Sequence, residues 1–234
     1  MSAKVYKSYA DPIMISDPTL GGTFGFDVTV PTDGTEGWAP NALFVDLDAT
    51  GPTGLYVNTG TLTSCAFRAV NGGLATGAGA GITSGVGTVY ENSVQVAGGI
   101  YYTRILIDLT GLESSTTDLD IIGVGTSPAY IGQITAAQNG TILSLKMTCL
   151  EVPAGGADDV DLYAATEATG VFDAGIATLA ETAIVSSGAA WAANDQKIAT
   201  AVVAPNKYLY LTGGEAGTAA TYTAGQFLIE MWGY

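Results

Sequence analysis

The chain has 234 residues, of which 47% are hydrophobic and only 12% are charged, and its net charge is −15. Disorder goes with low hydrophobicity and high charge, so this composition predicts a folded protein with a sizeable core. Seven scattered basic residues exclude a nucleic-acid footprint and make an anionic membrane surface an unfavourable partner. The absence of histidine excludes Ser-His-Asp and Cys-His catalytic arrangements.

Short runs rich in Val, Ile, Thr, Tyr and Phe follow one another along the chain, separated by Gly, Pro, Asn and Asp, which is typical of β-strands. In chain order, the predicted strands are 23–30, 42–48, 61–70, 88–96, 100–109, 119–124, 129–136, 141–152, 160–166, 197–203, 207–213 and 225–234. Residues 179–197 are Ala-rich and suit either a helical turn or another pair of strands. The predicted fold class is therefore all-β.

Two hairpin turns are predicted, at Gly98-Gly99 and at Asn139-Gly140, because both pairs tolerate the positive φ of a tight turn. Asn139 also begins an N-glycosylation sequence, but the N-terminus has no apolar stretch of the secretory type, so the turn is the preferred interpretation. The longest apolar runs are too short to span a bilayer. These features favour assembly in a cytoplasm.

A Gly- and Ala-rich segment, residues 71–87, suits either a flexible surface loop or a segment that becomes ordered against a partner. It suggests two domains. Residues 1–95 are predicted to be an N-terminal arm and β-rich attachment region, in which Pro12 and Pro18 keep the first twenty residues extended. Residues 96–234 contain about eight strands and are predicted to form a jelly-roll, antiparallel β-sandwich domain.

The strand 100–109 combines apolar alternation with two charges. Ile105, Ile107 and Leu109 are predicted to face the core, and Arg104, Leu106 and Asp108 the opposite side. That opposite side is either the solvated surface of a monomer or a subunit contact in which the charges set the register.

Few residues offer chemistry. Paired carboxylates can hydrolyse glycosides, and the candidates are Glu151, Glu167, Glu181 and Glu230, but Trp38, Trp191 and Trp232 lie in unrelated contexts. Acidic groups at Asp158, Asp159 and Asp161 and at Asp46 and Asp48 match no complete calcium loop; Asp158 and Asp161 are the better ligands if an ion binds. Cys65 and Cys149 are predicted to be buried thiols, and a disulfide between them is the alternative, since the sequence does not give the separation that a disulfide requires. The prediction is a non-enzyme without catalytic, cofactor-binding or metal-binding residues.

The blocks "ILIDLTGL", "PAYIGQIT", "KMTCLE", "DVDLY" and "FLIEMWGY" resemble a module of structural proteins from tailed phages, especially marine and cyanobacterial ones, over about residues 96–234. The resemblance implies a capsid decoration or cement protein, a jelly-roll homotrimer bound to the major capsid protein on the virion surface. It carries no active-site residues.

Two alternatives stay open. The first is a tail, neck or fibre component of the virion, which copy number would separate from a decoration protein. The second is a carbohydrate-binding or glycan-cleaving β-sandwich. A major shell protein of the common tailed-phage fold is disfavoured because no long helix is visible in the sequence.

Overall fold

A computed structural model of the chain describes residues 4–8, 11–17, 19, 21–49, 54–70, 73–74, 76–214 and 219–234. Its regular structure is almost entirely β-strand, so the predicted all-β class is confirmed. The chain divides into two compact units, Met1–Gly72 and Gly73–Tyr234.

The first unit is built on one six-stranded sheet whose order follows the sequence. Its strands are β1 (Lys4–Ser8), β2 (Asp11–Asp17), β3 (Gly21–Asp27), β4 (Trp38–Asp46), β5 (Leu55–Asn58) and β6 (Phe67–Ala69). Neighbours are antiparallel except β3 and β4, which run parallel. The residues predicted to form an extended arm thus include two strands of this sheet.

Three aromatic rings form the centre of the first unit's core. Trp38, Phe44 and Phe67 meet edge to face, with ring centroids 5.1–5.8 Å apart. Asn58 is buried beside them, and its amide donates to the carbonyls of Trp38 and Ala39 while its oxygen accepts two backbone N–H groups. Because all its polar positions are used, the buried amide ties β5 to the start of β4.

The second unit contains a five-stranded sheet, a four-stranded sheet and a two-stranded ribbon. The five-stranded sheet has the order β14 (Gln196–Ile198), β11 (Ile142–Ala154), β17 (Ala224–Gly233), β8 (Ile100–Asp108) and β7 (Tyr90–Ala97). The four-stranded sheet has the order β10 (Gly132–Ile134), β15 (Lys207–Gly213), β12 (Val160–Ala165) and β13 (Thr182–Val185). The ribbon pairs β16 (Ala220–Thr221) with β9 (Glu113–Ser114).

Both larger sheets are antiparallel and contribute side chains to one continuous core, as in a β-sandwich. Inward and outward residues alternate strictly along β17 and along β8 from Tyr102 onwards, whereas irregularities in the pairing interrupt the alternation along β11. By contrast, every residue of β12 is buried. Ile121, Ile176 and Leu179, which lie outside the strands, belong to the same core, which explains why both faces of β12 are covered.

Short helices lie between the strands. α1 (Ala80–Thr83) falls in the Gly-rich segment, α2 (Ala136–Asn139) follows β10, and a single 3₁₀ turn covers Ile176–Leu179. The described part of the Gly-rich segment is ordered against its own unit, with Ile82 fully buried. A Cβ at Gly79 or Gly81 would lie 2.2–2.4 Å from a carbonyl oxygen, so glycine permits the close approach of the backbone.

The division between the units differs from the sequence-based one. The predicted boundary near residue 95 would fall inside β7, which pairs with β8 along its whole length from Tyr90 to Ala97. Residues from Gly73 onwards instead belong to the sandwich. The observed division lies at the start of the Gly-rich segment, about twenty residues before the predicted boundary. The rest of this segment belongs to the second unit because its glycines allow close packing against that unit.

Two local predictions have opposite outcomes. Gly98 and Gly99 adopt φ values of +60° and +80° and connect β7 to β8 as a two-residue turn, which confirms that hairpin. The hairpin at Asn139-Gly140 is wrong, because Asn139 ends α2 and is fully buried. Its amide donates to Thr103 Oγ1 at 2.9 Å and its oxygen accepts from Thr135 N, so tertiary hydrogen bonds replace the turn.

The predicted strand at 119–124 is also wrong. Leu119 has a positive φ of +65°, and Asp120 and Ile121 make only isolated bridges to different partners. The apolar run is nevertheless buried, because Ile121 and Ile122 fill the core beside β15. Burial accounts for its composition without a strand.

Candidate interaction surface

The outward side of the five-stranded sheet, called the outer face below, follows from the alternation along β8. Ile105, Ile107 and Leu109 are fully buried, whereas Arg104 is exposed and Leu106 is half-buried on the other side. The predicted orientation of this strand is therefore confirmed. Register places the outward residues of β7, β17, β11 and β14 in rows beside Arg104 and Leu106.

A row of charges crosses the middle of the outer face. Arg104 lies opposite Glu230, and Glu230 lies opposite Lys146. Lys146 Nζ and Glu230 Oε2 are 2.7 Å apart, and the Tyr102 hydroxyl donates to the other oxygen of Glu230. Partial burial acts to raise the pKa of Glu230, but the hydrogen bonds from Lys146 and Tyr102 outweigh it and leave the pKa below its ordinary value.

An aromatic pair adjoins this row. The rings of Tyr102 and Trp232 stack with centroids 5.4 Å apart, and the Arg104 guanidinium lies 5.8 Å from the centroid of the Tyr102 ring. Burial and the carboxylate of Glu230 raise the pKa of Tyr102 to about 12, so its hydroxyl stays a donor at neutral pH. The stack and the hydrogen bonds restrict the positions of these side chains.

Beside the aromatic pair lies a shallow depression of about 210 Å³. Leu106 and Leu228 contribute its apolar part, and Glu91, Ser93 and Arg104 line its polar part. Arg104 Nε is 3.4 Å from Ser93 Oγ. Among the described residues, Arg104 and Glu91 have no oppositely charged group within 4.0 Å.

The outer face combines residue types that are common in protein interfaces. Interfaces and their energetic centres are enriched in Trp, Tyr and Arg around apolar contacts, and here Arg104, Tyr102 and Trp232 lie beside Leu106 and Leu228. Ile198, at the edge of the same face, is 72% exposed. The arrangement is suited to binding a macromolecule by contact area.

Of the carboxylates proposed for glycoside hydrolysis, Glu151 and Glu230 are not brought together as a pair. Glu151 lies opposite Gln226, four residues from Glu230 along β17, which corresponds to about 13 Å of strand and exceeds the ~5–9.5 Å of a glycosidase pair. Glu167 follows β12 and Glu181 precedes β13, so both belong to the other sheet. Glu230 is paired with Lys146 instead.

The acidic turn at 158–161 is more buried than a solvated turn. Asp159 is 4% and Asp161 5% exposed, and Asp161 Oδ1 accepts Ser187 N at 2.5 Å while Asp159 Oδ1 has no hydrogen-bond partner. Burial raises the pKa of both carboxyls, and repulsion from Asp161 adds to the shift at Asp159. The two buried carboxyls of this turn are thus Asp159 and Asp161, whereas the sequence favoured Asp158 and Asp161 as ligands for an ion.

No group of three or more acidic or thiol side chains is placed to hold a metal ion in the described part of the chain. Asp46 ends β4 and Asp48 lies in the following bend, where the nearby Asp46 carboxyl raises the pKa of Asp48. Cys65 and Cys149 are both free and buried, as predicted, and they belong to different units. Burial, with Asp195 and Glu151 nearby, raises the pKa of Cys149 to about 11.

The Asp159 carboxylate gives a pH-dependent prediction. Its folded-state pKa lies above its ordinary value of 3.8, so the ionised form destabilises the native state at neutral pH and the penalty disappears as the pH falls through the folded pKa. Asp159→Asn is therefore expected to raise the unfolding midpoint at pH 7, and the advantage over wild type should shrink as the pH falls towards 3.8. Denaturant titration across this range measures it.

The matched control for Asp159→Asn is Asp173→Asn, which removes an exposed carboxylate of the same unit. It should change the midpoint little at any pH. A lower midpoint for Asp159→Asn at pH 7 would show that Lys197, whose charge opposes the shift, dominates this site.

The tyrosine–tryptophan pair was not predicted from the sequence. Tyr102 and Trp232 are 130 positions apart, and only the pairing of β8 with β17 makes them neighbours. Strand alternation places both side chains on the outward side of their strands. Knowing that β8 and β17 are neighbours in the sheet would therefore have been enough to find the pair. No short-range pattern supplies that order.

In the described part of the chain, no helix is long and apolar enough to cross a membrane. Comparison of the chain with protein-family models, with curated proteins and with solved structures found no significant match in any of the three.

Proposed function

We propose that the protein is a non-enzymatic virion structural protein, a capsid decoration or cement protein that binds the outer surface of a phage head. Its partners would be the major capsid protein and further copies of itself in a homotrimer, assembled in the host cytoplasm. The sequence blocks of residues 96–234 support this proposal through their resemblance to phage structural modules. We also propose that the sandwich is a variant of the jelly roll.

The observation that carries the proposal is the organised outer face. A decoration protein works by contact area in many copies, and this face presents the stacked Tyr102 and Trp232 beside the charged pair of Glu230 and Lys146. The net charge of −15 suits a layer whose other surfaces face solvent, because like charge opposes the clumping of particles.

Sedimentation with undecorated heads tests the proposal. Wild-type protein should pellet with the heads to a saturating level of many copies per particle. Trp232→Ala should weaken this binding at least tenfold, since central interface aromatics contribute about 2 kcal/mol or more. Val86→Ala, at an exposed loop residue, is the control and should bind as wild type does.

Failure of the wild-type protein to pellet with heads would contradict the decoration role. Saturation at only a few copies per particle would favour the tail, neck or fibre alternative. A carbohydrate-binding role is the second candidate, because the Tyr102–Trp232 stack lies on a sheet face next to the polar groups of Glu230 and Lys146. A glycan array separates the two, since a sugar ligand would be retained by wild type and lost in Trp232→Ala.

A further inference from the structure

Positive charge is scarce in the second unit, and half of it lies on the outer face. Residues 73–234 contain four basic and fifteen acidic residues. Lys197 Nζ donates to the Ser187 carbonyl at 2.7 Å, and Lys207 donates to Thr166 Oγ1, so both are held by their own chain. The other two, Arg104 and Lys146, lie on the outer face.

Two copies of so acidic a chain repel each other except where one of them presents a cation. Lys146 is already neutralised by Glu230 at 2.7 Å. Arg104 has no acidic partner within 4.0 Å among the described residues, and its guanidinium is exposed. Arg104 is therefore the position on this face where an incoming carboxylate gains most.

A suitable carboxylate lies on the same face. Glu91 belongs to β7, opposite Leu106, while Arg104 lies opposite Ser93 on the neighbouring row. Both Glu91 and Arg104 border the depression whose apolar part comes from Leu106 and Leu228. The same surface of one chain therefore offers an unpaired cation, an unpaired anion and an apolar patch to a second copy.

We propose that the part of the outer face around this depression contacts a second copy of this chain, with Arg104 of one copy bound to Glu91 of the next and Leu106 and Leu228 covered, while the Tyr102–Trp232 end of the face stays open to the head. An arginine can hold a carboxylate through two parallel hydrogen bonds, which fixes orientation as well as affinity. In a closed ring each copy gives its Arg104 to one neighbour and its Glu91 to the other. This inference rests on the homo-oligomer of the proposed function.

Charge reversal tests the contact, with mass measured by sedimentation velocity at micromolar concentration. Wild-type protein should sediment at about three times the 23.7 kDa mass of one chain. Arg104→Glu and Glu91→Arg should each sediment as single chains, because like charges then meet at the contact. The double variant Arg104→Glu/Glu91→Arg should regain the wild-type mass, since the pair is restored with its direction reversed.

Lys207→Glu is the control, because it changes the net charge by the same amount away from the outer face and should leave the mass unchanged. Far-UV circular dichroism of every variant separates dissociation from unfolding. An oligomer that persists in Arg104→Glu, or a folded double variant that stays a single chain, overturns the Arg104–Glu91 contact but leaves the oligomer itself intact. A wild-type protein of single-chain mass overturns the homo-oligomer of the proposed function as well.

Discussion

Replacing Ile107 with alanine is expected to lower the free energy of unfolding of the second unit by about 2–5 kcal/mol. Ile107 is fully buried in β8, between Phe227 of β17 and Tyr90 of β7 in the register of the sheet. Truncation removes buried methyl groups and leaves a cavity at the centre of the five-stranded sheet, where strands on both sides limit relaxation. Denaturant titration measures the loss.

The matched control is Ile198→Ala, which makes the same change at a residue 72% exposed on β14. It should cost less than about 1 kcal/mol, as exposed positions usually do. A loss below this level at Ile107 would mean that the packing around β8 relaxes without penalty, and it would contradict the assignment of this strand's inward face as the centre of the core.

Replacing Phe44 with alanine is expected to cost the first unit about 3–5 kcal/mol. The Phe44 ring is fully buried, 5.8 Å from the ring centroids of both Trp38 and Phe67, so its loss opens the centre of a small core. Small domains bury a smaller share of their surface and have less stability to lose. We therefore expect the first unit to become largely unfolded while the second stays native.

Hydrogen exchange followed by mass spectrometry measures this outcome, since peptides from the two units are read separately. Amides of β4, β5 and β6 should lose protection in Phe44→Ala, and those of β8, β11 and β17 should keep it. Leu47→Ala, at a residue 61% exposed after β4, is the control and should leave all of them protected. Protection of β4 to β6 at the wild-type level in Phe44→Ala would contradict the aromatic core as the main source of this unit's stability.

The burial of Ile107 and the core role of Phe44 differ in how far the sequence alone predicts them. The burial of Ile107 was predictable because alternation in a strand places every second residue on one face, and the register of a hairpin is fixed by its turn. Gly98 and Gly99 provide that turn with positive φ at both positions. The core role of Phe44 was not predictable in the same way, because Phe67 comes from β6 and Trp38 from the start of β4, outside the predicted strand 42–48.

Asn139 shows how local turn chemistry can be overruled. Asn-Gly is a strong hairpin signal in isolation, yet here Asn139 is buried and bonded to Thr103, 36 positions away. A fully buried amide needs partners for its donors and acceptors. One of these partners, Thr103, belongs to β8 and lies beside α2 only in the folded protein. The residue was identified correctly as special, but for a turn rather than for a tertiary contact.

The sequence by itself determined the all-β class, the inward and outward sides of β8 and the Gly98–Gly99 turn, because each depends on residues close together in the chain. Only the tertiary structure decided the sheet order, the parallel pairing of β3 with β4 and the division at Gly72. It also brought Trp232 against Tyr102 and Glu91 beside Arg104 to form the outer face. The physical reason is that strand pairing satisfies the same backbone hydrogen bonds whichever strands meet, so the choice depends on how the whole core packs.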